Sequence, residues 1–536
     1  MQRRPSLRGR DTHPPGARLR SPWPTRRIGL ALAAILLATA GPVRAGAVED
    51  ARALLKEDDP AAAELLLRAR LRATPGDPVL LCALGDAARV RCALDRAEEA
   101  YRLALERAPF DPDARAGLGE VFLLRGRPAE ALVQAERALE GARAGGRETG
   151  RVWRVKALAL LELRRFGPAL DAARRAVALA PDDPRCAEAH AAVCFRSGRM
   201  AEASASYLRA TELDPRTEEG SLRLGNGFAP DLHASKPWRD GPEAQDFRAA
   251  LDAWDAGDLG LAEATFRALV RRDPDTYKYR LGVGLCRVSI RRSREAAFGG
   301  DPTTLYARLP APALDGLASV VHGADALPPL ELHVVRVATA PARPLFEAMR
   351  AARASHDLLR LDEDVTDAEH RRDLLGKRTF DGRWYAHLRA VAGPHGATGA
   401  EKLREAAEFA FNTFAHEFGH QVHRFGLSTS QQEEVTAMYR EALASGACLD
   451  YYAASNEDEY FAQEYEAFVS PAKRGCLPET ARHTRDELAR RDPRMFAFLR
   501  RVLDTSHESE EVFMVLRRAA AGLPVEDPQP EPSTTR

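Results

Sequence analysis

No two cysteines in this chain are spaced as CxxC. The seven, Cys82, Cys92, Cys186, Cys194, Cys286, Cys448 and Cys476, stand apart, which argues against a thiolate zinc site. An excess of either charge is also missing. Lys+Arg and Asp+Glu are both 78, so a general nucleic-acid binder is disfavoured and nothing steers the chain toward an anionic membrane. No apolar run suited to a stable membrane span was found: Ile28 to Ala40 is about 13 residues, short of the ~20 that a ~30 Å hydrocarbon core requires. What is present is 536 residues, 45% hydrophobic and 29% charged, a composition for a soluble folded protein of roughly three or four domains. Ala, Leu and Arg dominate and suit long helices.

The run from Ile28 to Ala40 follows Arg26 and Arg27 and precedes Val43-Arg44-Ala45, with small residues at the −3 and −1 positions. That order is the pattern of a secretory signal, assigned to residues 1–45. Met1 to Thr25 is long for such a signal, so a later start codon or an uncleaved anchor stays open. No cysteine follows the run, so lipid attachment is not indicated. The expectation is an exported protein, periplasmic or secreted, and tethered if the segment is uncleaved. Export permits disulfides. A Cys448–Cys476 bridge is conceivable, and most of the cysteines read as small buried hydrophobes.

Prolines recur at Pro75, Pro109, Pro181, Pro215 and Pro274, and two of these intervals are 34 residues. Leu84-Gly85 returns 34 residues on as Leu118-Gly119, and Ala97 returns as Ala131. Ala169, Ala173 and Ala176, then Ala203, Tyr207 and Ala210, repeat the second half of the unit. Small residues such as Gly85 and Ala97 let two antiparallel helices approach, Tyr101 or Tyr207 fills the gap to the next unit, and the proline ends the second helix. The pattern resembles the tetratricopeptide-repeat family over residues 47–291. It loosens into a loop at 226–240, returns at Gly257, Ala262, Phe266 and Pro274, and closes with a helix opened by Leu281-Gly282. Two readings of the array stand side by side: a scaffold, or a groove for a protein or peptide partner.

From about residue 292 the texture changes. Glu331–Val337 reads as a strand, and Arg378–Tyr385 as strand and turn around Asp381-Gly382. The glycine-rich stretch Val391–Gly399 reads as a loop. A long helix is expected over Glu401–Arg424, with others at Gln431–Ala444, Glu457–Ser470 and Asp486–Leu503. Ser430 and Glu433 read as a capping box. A disordered tail is assigned to residues 516–536; its end, Glu526–Arg536, is proline-rich and polar.

The feature that carries chemistry is His416-Glu417-Phe418-Gly419-His420. Residues four apart share a helix face, so both imidazoles can reach one ion at about 2.0–2.1 Å. Glu417 lies beside them, placed to take a proton from water on that ion. Phe409, Phe411, Phe414, Phe418 and Val422 give the helix apolar packing elsewhere. The third ligand is the open question. His423 and Gly426 fall in the wrong order for HExxHxxGxxH. Glu441 lies 21 residues past His420, but Ser445 stands where a thermolysin-like pattern has Asp. The acidic segment Asn456–Glu464 remains, in which Asn456 can cap a helix and place Glu459 in its first turn.

His416–His420 followed by Asn456-Glu-Asp-Glu-Tyr-Phe-Ala462 resembles the catalytic domain of the anthrax lethal factor family of gluzincin peptidases. The resemblance covers about residues 400–510. Together with the repeats it implies a mostly α chain: a tetratricopeptide-type solenoid, then an α+β zincin-like metallopeptidase domain over 292–515. It implies one zinc ion per chain held by His416, His420 and Glu459, with Glu417 as general base. Tyr452 takes the catalytic tyrosine's place in this register, with Tyr451 adjacent. Gln463 departs from the family's Glu. The implied function is an exported zinc-dependent peptidase acting on a peptide or protein, with the repeats binding protein. The alternative is a repeat-based adaptor with an idle zincin domain; a zinc hydrolase of non-peptide amides is a third reading. Thr379, Phe380 and Arg383 are candidates for lining a substrate-holding edge strand within Gly376–Trp384, where a plain hairpin fits equally.

Overall fold

The computed structural model describes residues 44–144, 146–228, 236–295, 298–379 and 382–525. The expected signal segment up to residue 43 and the tail from residue 526 lie outside these, as do Phe380 and Asp381.

The N-terminal half is a succession of antiparallel helix pairs: α1 (Arg44–Lys56) with α2 (Pro60–Leu71), α3 (Pro78–Val90) with α4 (Leu94–Arg107), α5 (Pro112–Leu124) with α6 (Pro128–Arg143), α7 (Gly150–Glu162) with α8 (Phe166–Leu179), and α9 (Pro184–Arg196) with α10 (Met200–Leu213). Local chemistry sets the boundaries. Asp77, Asp111 and Asp183 each precede a proline and accept a backbone N–H of the first turn, so cap and first residue are fixed together. Between paired helices the chain turns through a left-handed residue at Cys92, Gly126, Arg164 and Gly198. Cys92 to Gly126 and Arg164 to Gly198 are each 34 positions, so the turn follows the repeat. Tyr101 lies between Gly85 and Gly117, where a Cβ would strike its ring, and its hydroxyl donates to Asp86 at 2.7 Å. Charges from three successive repeats interlock: the Arg151 guanidinium reaches Asp86 at 2.6 Å and Glu120 at 2.8 Å, and Arg89 reaches Glu120 at 2.9 Å.

The array is interrupted after α11 (Glu218–Arg223). A wide helical turn, Leu224–Phe228, breaks at Asn226 and Gly227, the latter at φ +95°. A short α12 (Pro237–Asp240) stands in the region expected as a loop. Regular pairing resumes with α13 (Ala244–Asp255), α14 (Leu259–Arg272) and α15 (Tyr277–Ser293), which opens four residues before Leu281. The array comes round on itself: Arg287 of α15 grips Asp58, in the α1–α2 turn, at 2.8 Å.

The C-terminal part surrounds a second core. Its helices are α16 (Pro302–Tyr306), α17 (Pro329–Thr339), α18 (Phe346–Ala351), α19 (Glu401–Ala407), α20 (Thr413–Gln421), α21 (Thr429–Ser445), α22 (Glu457–Phe468), α23 (Arg485–Arg491), α24 (Pro493–Val502) and α25 (Glu510–Ala520). A small mixed sheet is built of β1 (Val321–His322), β2 (Ser355–Leu359), β3 (Ala390–Val391) and β4 (His395–Gly399) in the order β1-β2-β4-β3. β2 runs parallel to β1 and β4, and β3 runs antiparallel to β4.

Several expectations are corrected. Glu331–Val337 is helix, because Pro328-Pro329 starts a helix and Val334, Val335 and Ala338 bury one helical face. Val391–Gly399 supplies strands β3 and β4 rather than a loop. Its glycines are required there, since a Cβ on Gly396 would meet His356 and Gln421. Among the described residues of 378–385, one antiparallel bridge, Arg378 to Trp384, stands in place of the expected strand. The expected helix over Glu401–Arg424 is cut by Phe409 at φ +58° and restarts at the Asn412 cap. Ser428 and Gln431, not Ser430 and Glu433, make the capping box of α21. Asp492-Pro493 splits the last long helix in two. Residues 516–520 finish α25, with Leu516 and Ala519 buried, so any disordered tail starts later than residue 516.

The two parts are fastened at several places, among them Lys278 with Asp364 at 3.0 Å, Arg292 with Glu408 at 3.1 Å, and the loop after α22. Cys476 is bonded to Cys92, 384 residues away, and Cys448 is free and buried, so the Cys448–Cys476 bridge that the sequence left conceivable does not form. Arg482 covers Gly126, at a position with no room for a side chain. Glu479 meets Glu162 at the end of α7. Burial and the facing Glu162 carboxyl push Glu479 up to about 7 from an ordinary 4.5. A carboxyl raised on folding contributes stability that is complete below about 4.5 and lost as pH rises through about 7. In thermal unfolding, Glu479→Gln should match the wild type near pH 4 and exceed it near pH 8. A difference independent of pH would mean that the two carboxyls do not meet.

Candidate metal centre

The centre is made where α20 crosses α22. Asn412 caps α20 by accepting from Ala415 N at 3.0 Å, and its own N–H donates to Glu466 of α22 at 2.9 Å. Asn456 caps α22 by accepting from Glu459 N at 3.0 Å, which sets Glu459 in the first turn. The helices touch at Gly419, where a Cβ would stand 3.2 Å from Ala462 Cα and 3.1 Å from Tyr465 Cβ. Tyr465 is anchored in turn by its hydroxyl donating to Ala338 O at 2.7 Å. The glycine of HEFGH is therefore the contact that brings the two helices together.

At the crossing, Glu459 Oε2 lies 3.1 Å from His416 Nε2 and 3.4 Å from His420 Nε2. Ligand atoms from all three residues fall within 4.8 Å of one another. A tetrahedral ion with bonds of about 2.1 Å holds its ligands about 3.4 Å apart, so this donor set fits a zinc-sized ion. His416 Nδ1 is buried with no hydrogen-bond partner among the described residues.

Electrostatics separates the two carboxylates. Burial would raise Glu459, but hydrogen bonds from His416 and His420 and their charges outweigh it and hold Glu459 well below the carboxylate range. Burial raises Glu417, partly offset by His416 and His420, so it is the more basic of the two. Tyr452 sits beside the cluster, its ring centroid 5.9 Å from that of His416. Burial, then the charges of Glu459 and Glu417, raise its phenol, which stays protonated. Tyr451 faces away, under the Arg196 guanidinium at 3.7 Å. The charge of Arg383 is felt at both Glu417 and Tyr452.

The remaining candidates fall elsewhere. His423 is a packed histidine, stacked on Phe461 at 4.8 Å with Nδ1 3.2 Å from Asp458. Gln463 donates to Asp450 Oδ2 at 2.9 Å and to Thr480 O at 2.6 Å. Thr379 and Arg383 belong to a turn, with Thr379 N donating to Arg383 O at 2.8 Å. The antiparallel edge of the sheet is β3, and it lies by α20; Gln421 Nε2 donates to Gly393 O, in the turn between β3 and β4, at 3.1 Å. Asp450 and His483 are residues that sequence reasoning missed; the signal for Asp450 was an Asp two residues before Tyr452, the spacing of an Asx turn. A second cluster, His190, Cys194 and Glu202, also converges. Arg199 pairs with Glu202 at 2.5 Å and Arg174 approaches at 3.7 Å, so two fixed cations already hold that carboxylate.

Comparison with known proteins identifies the N-terminal region. The tetratricopeptide repeat family matches residues 82–147, 154–218 and 247–298. Similar solved structures include a thermophilic TPR protein in Thermus thermophilus (22% identity, 33% of this chain and 95% of that chain, TM-score 0.30). Another is PilW, a widely conserved type IV pilus biogenesis factor (17% identity, 45% and 98%, TM-score 0.31). A third is YrrB, a TPR protein with an unusual peptide-binding site (20% identity, 40% and 95%, TM-score 0.24). No curated protein matches the chain.

Substituting Gly419→Ala should cost about 1–3 kcal/mol, because backbone on both helices must give way. Denaturant unfolding reads this directly, and an unchanged midpoint would show that α20 and α22 have room to spare.

Proposed function

We propose that this chain, whose N-terminal region is built of tetratricopeptide repeats, is an exported zinc-dependent peptidase. The observation that carries the reading is the convergence of His416, His420 and Glu459 with Glu417 and Tyr452 beside them. The resemblance to gluzincin peptidases over residues 400–510 supports it, with 292–515 as the zincin-like domain. The Cys92–Cys476 bond supports an oxidising compartment.

One zinc ion would be held by His416 Nε2, His420 Nε2 and a Glu459 oxygen. When bound, zinc supplies Lewis acidity, making water acidic near neutral pH and polarising a carbonyl. Glu417, the more basic carboxylate, takes the proton of the attacking water and hands it to the leaving amine. Tyr452, protonated at neutral pH, donates a hydrogen bond to the carbonyl oxygen as charge develops there. Edge strand β3 offers an extended substrate backbone a place to pair. The repeats bind a protein partner or present a protein substrate.

A second reading, a repeat-based adaptor with an idle C-terminal part, is favoured by the repeat match itself. Elemental analysis after dialysis separates the two. The peptidase reading expects about one zinc per chain and a large loss in Glu459→Ala. Absence of zinc from the wild type would favour the adaptor, and equal zinc in both proteins would remove Glu459 from the site. Glu417→Gln should keep the metal and lose hydrolysis of casein or a peptide library; retained hydrolysis would overturn its role.

Tyr452→Phe should lower kcat by about 10²–10³-fold at unchanged zinc content. An unaltered kcat would take Tyr452 out of the reaction.

A further inference from the structure

The loop that carries Tyr452 is held by more charged groups than a surface turn requires. Its backbone is gripped from two helices. Arg491 of α23 donates to Cys448 O at 2.7 Å and to Leu449 O at 2.5 Å, and Leu449 N donates to Glu464 of α22 at 3.4 Å. At its centre is Asp450, whose side chain has no exposure at all. Asp450 Oδ1 accepts from Tyr452 N at 2.7 Å and from Ala453 N at 2.8 Å. Oδ2 accepts from Gln463 Nε2 at 2.9 Å, and His483 Nε2 lies 3.0 Å away as an ion pair, off the line of a straight hydrogen bond. His483 Nδ1 faces Glu487 at 3.2 Å, so the imidazole stands between two carboxylates.

His483 also ends the stretch that is fastened to the repeats. Cys476 is bonded at the α3–α4 turn, Glu479 meets the end of α7, and Arg482 covers the α5–α6 turn. Tyr451, next to Tyr452, lies under Arg196 at the end of α9. Turns of four successive helix pairs thus hold the residues flanking the Asp450–His483 contact.

We propose that Asp450 and His483 are a positioning pair that aims Tyr452 at the His416–Glu459 cluster and ties that aim to the repeat array. The pair touches neither substrate nor metal ligand and acts through the backbone of the Tyr452 turn. Gln463 belongs to the same device: it is four residues past Glu459 on α22, so one helix face carries both the cluster carboxylate and the support for the tyrosine loop. The inference rests on the reading of Tyr452 as a catalytic residue, and its test keeps the two apart.

The experiment uses the full chain with 3-fluorotyrosine at position 452, observed by fluorine NMR, in the wild type, Asp450→Asn and His483→Gln. Asp450→Asn preserves shape, His483→Gln keeps an N–H donor on a side chain of similar size, and both remove charge. One narrow line is expected from the wild type, and a broadened or split line from each variant at unchanged zinc content. On a hydrolysed peptide, kcat in each variant should fall to the level of Tyr452→Phe with KM little changed. Adding Tyr452→Phe to either variant should then cost nothing further, because the same interaction is already lost. An unmoved line in both variants, or losses of kcat that multiply with Tyr452→Phe, would overturn the proposal. If the wild type hydrolyses nothing, the peptidase reading fails and the fluorine line alone decides the positioning.

Discussion

Everything at the centre depends on how closely α20 can approach α22. Two histidines on one helix face the third donor only if the second helix comes near enough for a short Glu side chain to reach them. Gly419 permits that approach, and Tyr465, tied to Ala338, fixes its depth. The caps at Asn412 and Asn456 then determine which residue of each helix arrives at the crossing. Moving either cap by one residue would rotate its donors by about 100° around the helix and disperse the cluster. The approach and the two caps therefore specify the geometry jointly.

The two carboxylates illustrate how one small volume separates roles. Glu459 and Glu417 are both covered by protein, yet their proton affinities shift in opposite directions. Glu459 receives hydrogen bonds from both imidazoles, whereas at Glu417 burial outweighs the imidazole charges. A carboxylate held ionised suits coordination, and one made more basic suits proton transfer. Tyr452 completes the arrangement by keeping its proton.

Much of this was legible in the sequence, for identifiable reasons. The 34-residue recurrence encodes caps and turns that are local, so Asp77-Pro78 and Gly126 announce helix ends without tertiary help. His416–His420 and the Asn456 cap are likewise local. The sheet was not legible. β2 and β4 are adjacent in the sheet but their paired residues, Ser355 with His395 and Leu359 with Gly399, lie 40 positions apart in sequence, and Gly396 and Gly399 look like loop residues until His356, Gln421, Arg389 and Glu401 are seen to need the space. Glu331–Val337 misled because it is rich in β-branched valine, while Pro328-Pro329 already marked a helix start. Cys92 and Cys476 share no local pattern, since only the folded array brings an early repeat turn beside the loop after α22.

That bond has a topological consequence. It closes residues 92–476 into a covalent ring that contains most of the repeats, the sheet and the whole His416–Glu459 cluster. Because Cys476 follows the sheet and the His416–Glu459 cluster in the chain, the ring cannot close until both have been synthesised. The earlier repeats must hold Cys92 ready while some 380 further residues emerge and fold. A backbone cut anywhere inside the ring would leave the fragments joined, so an early nick in a repeat need not separate it from the residues of the centre.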